Sequence, residues 1–234
     1  MALSEAQLTL GYPLLAERRM SNVYIYVVDR DFGFAPNPFH GYCTLATCKP
    51  GIRKMSNVGD WVVGLGGGRL KATGRCIFAM RVSNKTTFND YWSNPIYLAK
   101  KPVRNGSSRM LVGDNIYHFD PKNQKWNQSD SHHSNPDGSV NPKNLKTDTK
   151  SDKVLIADHF YYFGKDAPSV PTHFLASIGY KNGRNYRVFD SNACAGLIDW
   201  LKKSFSKSLN VVVADPFQFD QSEKRYSGEG SKII

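Results

Sequence analysis

Two neighbouring segments decide the fold class of this 234-residue chain: 58–69, Val-Gly-Asp-Trp-Val-Val-Gly-Leu-Gly-Gly-Gly-Arg, and 75–82, Arg-Cys-Ile-Phe-Ala-Met-Arg-Val. Each contains an apolar, β-branched or aromatic run of strand length, and the glycines at 66–68 supply a turn between the runs. A dinucleotide-binding loop would open a helix after its glycines, whereas the continuation here is typical of a strand. The two segments therefore predict a pair of adjacent strands.

Similar runs occur on both sides of this pair, and helical patterns are few. Residues 192–206 carry apolar side chains at fourfold spacing, and 87–90 begins a short helix with a capping box. The basic segment 49–54 is predicted to be a turn. We expect an α+β, β-rich fold, either a small β-barrel or an antiparallel sheet with a few short helices. The other predicted strands are 23–28, 42–48, 154–164, 173–180, 186–189 and 211–214.

Composition along the chain predicts its domain organisation. Residues 1–20 are expected to be a peripheral segment, because Gly11 and Pro13 interrupt the only helical pattern there. Residues 21–234 are expected to form a single domain. Within it, 100–153 is polar and long, but its clustered His, Trp and Tyr residues favour an ordered insertion over a disordered linker.

The charge balance and the cysteines limit the class of protein. The net charge of +11 favours a polyanionic partner, such as nucleic acid. No apolar run approaches the roughly 18 residues of a membrane span, and the start, Met1-Ala-Leu-Ser-Glu-Ala, lacks the regions of a secretory signal. We therefore expect a cytoplasmic protein with no membrane partner. Four cysteines are too few for a disulfide scaffold, and we expect free, buried thiols.

The densest group of chemically active residues is 130–134, Asp-Ser-His-His-Ser. The carboxylate of Asp130 and the imidazoles of His132 and His133 suit acid–base catalysis near neutral pH, and His118 is a possible assistant. Adjacent residues of an extended loop point in opposite directions, so we expect only one of the two imidazoles to face a ligand. A structural surface loop and a metal site are the alternatives. Histidine pairs at zinc spacing are absent, so we predict no metal site, and the sequence identifies no cofactor.

Two resemblances to known families rest on longer strings. The order of strand, basic turn, Gly-Asp with apolar strand, glycine turn and apolar strand over 37–82 is similar to the barrel core of the PUA superfamily, especially its EVE, YTH and ASCH branches. The motifs 113–118, 130–134 and 159–164 resemble, in this order, the nucleotide modification associated domain 2 family from about residue 23 to residue 188. This resemblance implies a place in a phage or bacterial base-modification system and does not specify an activity. The insertion 100–153 distinguishes the chain from small EVE-type readers, so their aromatic-cage positions are not transferred.

The function predicted from these features is recognition of a nucleobase or nucleotide, which we expect to be modified. The alternative is an enzyme that processes a nucleotide or modified base through Asp130, His132, His133 and His118, and a basic interaction surface is a third possibility. A base needs flat aromatic walls and hydrogen bonds to its edge, and its phosphates need cations. The candidate walls are Trp61, Trp92, Trp126, Tyr161 and Tyr162, the candidate edge contacts are Asn37, His40, Asn115 and Asp130, and the candidate phosphate contacts are Lys49, Arg53 and Arg81.

Overall fold

The computed structural model describes residues 20–234, so the predicted peripheral segment 1–20 lies outside the described residues except for Met20. None of the helices in this range is long and apolar enough to cross a membrane. The α-helices are Pro50–Met55 (α1), Phe88–Ser93 (α2), Ser108–Leu111 (α3), Pro142–Asp148 (α4), Thr172–Ser177 (α5) and Ala195–Ser204 (α6). The strands are Asn22–Val28 (β1), Cys43–Leu45 (β2), Trp61–Gly66 (β3), Cys76–Arg81 (β4), Asn84–Thr87 (β5), Tyr117–Asp120 (β6), Lys125–Gln128 (β7), Lys153–Ala157 (β8), His159–Tyr162 (β9), Tyr186–Asp190 (β10), Tyr226–Ser227 (β11) and Lys232–Ile233 (β12).

A five-stranded mixed sheet forms the centre of the fold, with the order β10-β1-β3-β4-β9. The strand β3 pairs parallel with β1 and antiparallel with β4. Every residue of β3 is buried, which explains why its sequence is a continuous apolar run without polar alternation. The sheet is open at β10 and β9, and no closed barrel is formed by residues 20–234. The α+β, sheet-rich class is therefore confirmed, whereas the PUA-like barrel is not found.

A smaller antiparallel sheet, in the order β2-β8-β5, packs beside the first. The predicted strand 154–164 is divided between the two sheets, because the chain leaves β8 at Ala157 and enters β9 at His159. A second apolar cluster lies under this smaller sheet and includes Phe34, Phe88 and Tyr117. This cluster and the smaller sheet together support one wall of the cavity described below.

Three segments differ from their predicted structure. Residues 211–214 form no strand and contribute only an isolated bridge between Val212 and Tyr162. Residues 173–180 contain the helix α5 instead of a strand, and Phe174, Leu175 and Ile178 pack at helical spacing against the main core. Residues 49–54 contain most of the helix α1 instead of a turn, because Pro50 occupies the first helical position, where its missing N–H costs nothing. By contrast, 192–206 contains the predicted helix α6.

The polar insertion 100–153 is ordered. It contains α3, the hairpin of β6 and β7, and α4. The helix α4 begins at Pro142, where the Asn141 side chain accepts a hydrogen bond from the Asn144 backbone N–H. Its last residue is Asp148, so this insertion delivers a carboxylate to the edge of the smaller sheet.

Gly64 in β3 provides a stability test of the central sheet. A Cβ at this position would lie 2.1 Å from the Phe78 Cε1 atom and 2.7 Å from the Val28 Cγ2 atom. We expect Gly64→Ala to lower the free energy of unfolding by about 1–3 kcal/mol, because buried neighbours must move. Urea denaturation measures the change. Gly68→Ala is the matched control, because a Cβ there meets no atom within 4 Å; equal destabilisation by both substitutions would contradict the packing described.

Candidate active site

A cavity of about 430 Å³ opens beside the carboxyl end of β1. This volume lies within the range of small-molecule and cofactor sites. Its aromatic walls are Tyr26, Phe32, Phe34 and Tyr226. Its ionisable lining side chains are Asp29, Arg30, Cys48, Lys49, His132, His133, Lys143 and Asp148.

Three of these ionisable side chains contact one another in series. The Sγ atom of Cys48 lies 3.7 Å from Nε2 of His133. The other ring nitrogen of His133, Nδ1, donates a hydrogen bond to Oδ2 of Asp148 over 2.8 Å. This is the arrangement of a nucleophile, a proton carrier and an orienting carboxylate that defines catalytic triads. We call Cys48, His133 and Asp148 the relay.

The relay cysteine lies on a sharp turn between β2 and α1. Cys48 has a φ of 56° and Lys49 a φ of 39°, so both residues adopt the left-handed conformation that costs side chains about 1–3 kcal/mol each. The backbone N–H of Cys48 donates to Oδ1 of Asp148 over 2.8 Å, which binds this turn to the end of α4. A strand, a strained turn and a helix thus present a half-buried thiol to the cavity.

Arg53 fixes the same turn from the protein interior. Its buried guanidinium donates hydrogen bonds to the backbone carbonyls of Cys48 and Asp148 over 2.9 and 2.5 Å. Two further bonds run to the carbonyls of Ser151 and Lys153 over 2.7 and 2.6 Å. Arg53 is therefore a positioning residue, which holds the segment with the thiol against the segment with the carboxylate.

Asp148 is fully hydrogen-bonded within the protein. Besides the bonds from His133 and Cys48, its Oδ2 atom accepts a hydrogen bond from the Tyr117 hydroxyl over 2.9 Å. Burial raises the pKa of Asp148, but the charges of His133 and Arg53 and the hydrogen bonds from His133 and Tyr117 together outweigh burial, so the pKa lies below its ordinary value. Asp148 is therefore an anion at neutral pH.

The two adjacent imidazoles have opposite charge states. Burial by itself lowers the pKa of His133, but the charges of Asp148 and Cys48 raise it to about 10. Burial and the charge of His133 lower the pKa of His132 to about 3, although its Nδ1 atom bonds to the Lys224 carbonyl over 2.6 Å. At neutral pH, His133 is therefore an imidazolium beside the thiol, and His132 is a neutral ring that contacts Phe32 at a centroid distance of 4.5 Å.

The relay also contains metal-ligand atom types. One ligand atom from each of its residues lies within 4.8 Å of the others. However, Asp148 bonds to Nδ1 of His133, whereas the Cys48 thiol lies at Nε2 on the opposite side of the ring. One ion bound to Nε2 would require Asp148 to leave its hydrogen bonds with His133, Tyr117 and the Cys48 backbone. The arrangement therefore fits proton transfer better than metal coordination.

Among the residues predicted from the sequence, His132, His133 and Lys49 line the cavity. The two imidazole centroids are 6.0 Å apart. Both rings face the cavity because residues 131–134 form a tight turn, in which the Ser134 N–H bonds to the Ser131 carbonyl. The structure thus differs from the expectation that only one of the two histidines would face a ligand.

Asp130 and His118 lie outside the cavity. The carboxylate of Asp130 is 41% exposed and forms an ion pair with Arg225. His118 stacks on Trp92 at a centroid distance of 4.4 Å. It lies on the face of β6 opposite to Tyr117, since successive strand residues point in opposite directions. The structure therefore does not bring Asp130 and His118 together with the two other histidines.

The remaining candidate residues are placed elsewhere. Arg53 bonds to backbone carbonyls rather than facing solvent, and the amide nitrogen of Asn37 is bonded to the Val112 carbonyl. The Tyr162 hydroxyl donates to the buried carboxylate of Asp31. The candidates that do not line the cavity are Asn37, His40, Arg53, Trp61, Arg81, Trp92, Asn115, Trp126, Tyr161 and Tyr162.

Sequence reasoning missed Cys48 and Asp148. The sequence around Cys48 did contain a signal. A strand followed by Cys-Lys-Pro places the thiol two residues before a helix that begins with proline. Asp148 had no such signal, because it lies in a polar segment that contains many similar residues. The four aromatic walls of the cavity were missed as well: Tyr26, Phe32, Phe34 and Tyr226. The expected free, buried thiols are confirmed for Cys43, Cys76 and Cys194, whereas Cys48 is free but only half-buried.

The cavity has the volume, the aromatic walls and the few converging polar groups that are typical of small-molecule sites. The chain belongs to the nucleotide modification associated domain 2 family, whose model matches residues 20–223. The resemblance inferred from the sequence motifs is thereby confirmed. No curated protein and no solved structure matches the chain significantly.

The neutral state of His132 predicts a pH dependence of stability. Its pKa falls from an ordinary 6.5 to about 3 on folding, so between these values the unfolded chain binds a proton that the folded chain does not. Folding stability from this group is present above pH 6.5 and decreases as the pH falls, by up to about 1.4 kcal/mol per pH unit. His133 adds little slope between pH 6 and pH 4, because it is protonated in the folded state and mostly protonated in the unfolded chain.

We therefore expect His132→Gln to lose less stability than the wild-type protein between pH 6 and pH 4. Chemical denaturation at a series of pH values measures the two slopes. The comparison of slopes is independent of any constant loss caused by the substitution. Identical slopes for both proteins would show that His132 is not held neutral.

Proposed function

We propose that this chain is an enzyme of nucleotide modification, which processes a nucleotide or a modified base by covalent catalysis through Cys48. One observation carries the proposal: the thiol of Cys48 lies 3.7 Å from His133, whose other nitrogen bonds to Asp148, and all three face one cavity. Membership of the nucleotide modification associated domain 2 family supports a nucleotide or modified base as the substrate.

The relay has the parts that thiol catalysis needs. The thiolate is the nucleophilic form of cysteine, and a neighbouring imidazolium is the partner that reactive thiolates use. Asp148 holds His133 in one orientation and stabilises its positive charge. The catalytic residues of the proposal are thus Cys48 and His133, and Asp148, Arg53 and Tyr117 position them. Asp148 takes the place that Asp130 had in the prediction from the sequence.

The cavity walls suit a planar ring with a charged substituent. Phe34 and Tyr226 present aromatic side chains on which a base can stack. Arg30 and Lys143 also line the cavity, and cations of this kind bind phosphate oxygens. A nucleotide therefore matches both the aromatic walls and the basic lining.

Recognition of a modified base without turnover is the second candidate function. The aromatic walls favour it, because stacking between planar rings binds bases without any chemical step. A protein that only binds has no need of a strained thiol aligned with an imidazolium, however. We therefore place the enzyme first.

Alkylation of the native protein by iodoacetamide tests the nucleophile. We expect Cys48 to react first, because Cys43, Cys76 and Cys194 are buried. His133→Ala should slow alkylation of Cys48 by at least about tenfold at pH 6, because the imidazolium 3.7 Å from the sulfur atom no longer promotes its reaction. His118→Ala is the matched control, since this histidine lies outside the cavity. Peptide mass spectrometry measures the rates, and slow, His133-independent labelling of Cys48 would overturn the proposed nucleophile.

A turnover assay separates the two candidate functions. The protein is incubated with nucleotides from digested phage DNA, and the nucleotide pool is followed by mass spectrometry. We expect a product whose formation falls by at least about 100-fold in Cys48→Ala and His133→Ala but not in His118→Ala. Product formation that survives in Cys48→Ala would overturn covalent catalysis. Binding of a base without any product would instead support recognition.

A further inference from the structure

We infer that Cys48 attacks an acyl carbon, so that the substrate is a nucleotide or base that carries an amide or ester group. The inference rests on the proposed function and names the bond that is broken. It also gives Lys49 a role, as the cation that stabilises the oxyanion formed during the attack.

The first argument is the position of the imidazolium. Nε2 of His133 is directed at the sulfur atom, and Nδ1 is bonded to Asp148. In acyl transfer, the same ring nitrogen that faces the nucleophile also gives a proton to the departing amine or alkoxide. A leaving group expelled next to Cys48 would thus find a proton at the required place.

The second argument is that the cavity does not suit other reactions of thiols. Disulfide chemistry requires a second thiol, but Cys43, Cys76 and Cys194 are buried and do not line the cavity. Addition to a pyrimidine ring requires an unoccupied carboxylate or amide that binds the ring nitrogen. The amide nitrogen of Asn144 is bonded to the carbonyls of His133 and Tyr226.

The carboxylates of the cavity are occupied as well. Asp148 accepts three hydrogen bonds from within the relay and Tyr117, and Asp29 forms an ion pair with Arg69 over 3.1 Å. The groups of the cavity that remain available for reaction are therefore the Cys48 thiol, the His133 imidazolium and the lysine and arginine cations. This set is the one that acyl transfer uses.

Lys49 is the lining cation that we assign to the oxyanion. It follows Cys48 in the chain and lines the same cavity, where its Nζ atom lies 4.4 Å from the ring centroid of Tyr26. Within residues 20–234, Lys49 forms no ion pair with a carboxylate. Burial lowers its pKa, although Cys48 and Asp29 oppose this shift. A half-buried ammonium group that is not paired with a carboxylate binds developing negative charge strongly, because the site excludes much of the water.

The reaction balances with water as the only co-reactant. The Cys48 thiolate adds to the carbonyl carbon, and the π electrons move to the oxygen beside Lys49. When the carbonyl re-forms, the bond to the leaving group breaks, and the amine or alkoxide takes the proton of His133 Nε2. Water then adds to the thioester and gives a proton to His133, and the sulfur leaves as the thiolate. An amide or ester and one water become a carboxylic acid and an amine or alcohol.

Acylation by p-nitrophenyl acetate tests this reaction class. We expect a burst of p-nitrophenolate and one acetyl group on Cys48, detected by mass spectrometry of the intact protein and its peptides. Lys49→Met should slow acetylation by about 100-fold, because the oxyanion loses its cation. The same variant should slow alkylation by iodoacetamide much less than it slows acetylation, because that displacement forms no oxyanion and loses only the effect of Lys49 on the thiolate. Lys54→Met, an exposed lysine of α1, is the matched control and should leave both rates unchanged.

A nucleotide that carries an amide completes the test. We expect N4-acetyl-deoxycytidine monophosphate to be converted to deoxycytidine monophosphate and acetate, with loss of the reaction in Cys48→Ala. If Cys48 alkylates rapidly and nucleotide processing needs it, but neither acyl compound acylates it, the acyl inference is overturned and the proposed function stands. If Cys48 is inert to iodoacetamide and to both acyl compounds, both are overturned. Equal acetylation rates for Lys49→Met and Lys54→Met would overturn the role of Lys49.

Discussion

The buried guanidinium of Arg53 holds the candidate site together. It reaches the carbonyls of Cys48 and Asp148, which lie 100 residues apart in sequence, and so connects the turn after β2 with the end of the insertion. A charge with no exposed surface is tolerated only when its donors are used, and here they bind four backbone carbonyls. Burial lowers the pKa of Arg53 while Asp148 opposes that shift. The relay geometry is therefore a property of the whole fold, because neither segment could hold its part of the relay alone.

Two neighbouring histidines differ in function because they differ in partner. His133 bonds to a carboxylate that is itself held by Tyr117 and by the Cys48 backbone, so its cationic form is stabilised in the interior. His132 meets a carbonyl and the rings of Phe32 and Phe34, which offer no charge to compensate a proton. Their adjacency in the sequence gave no reason to expect different charge states. The different charge states arise from residues that are distant in the chain.

The parts of the fold that depend on local patterns could be predicted from the sequence. The apolar run of β3, the fourfold spacing of α6 and the capping box at Thr87, whose side chain accepts from the Asp90 N–H, act within a few residues and were found. Residues 173–180 were assigned to a strand, because a short apolar run does not distinguish a strand from a helix. Of the site, the histidines were found by their chemistry. Cys48 and Asp148 were not, because the hydrogen bonds that join them depend on the path of the chain between the two sheets.

Asp130 lies outside the cavity but is connected to one of its walls through Arg225. Its carboxylate pairs with Arg225, and the next residue, Tyr226, is a wall of the cavity that lies 5.6 Å from the His133 ring. The Tyr226 backbone N–H also donates a hydrogen bond to the His132 carbonyl. This bond joins the hairpin of β11 and β12 to the turn that carries the two histidines. The hairpin begins beyond residue 223, where the family match ends. The three relay residues thus lie within the matched region, whereas Tyr226, one wall of the cavity, lies in the segment that follows it.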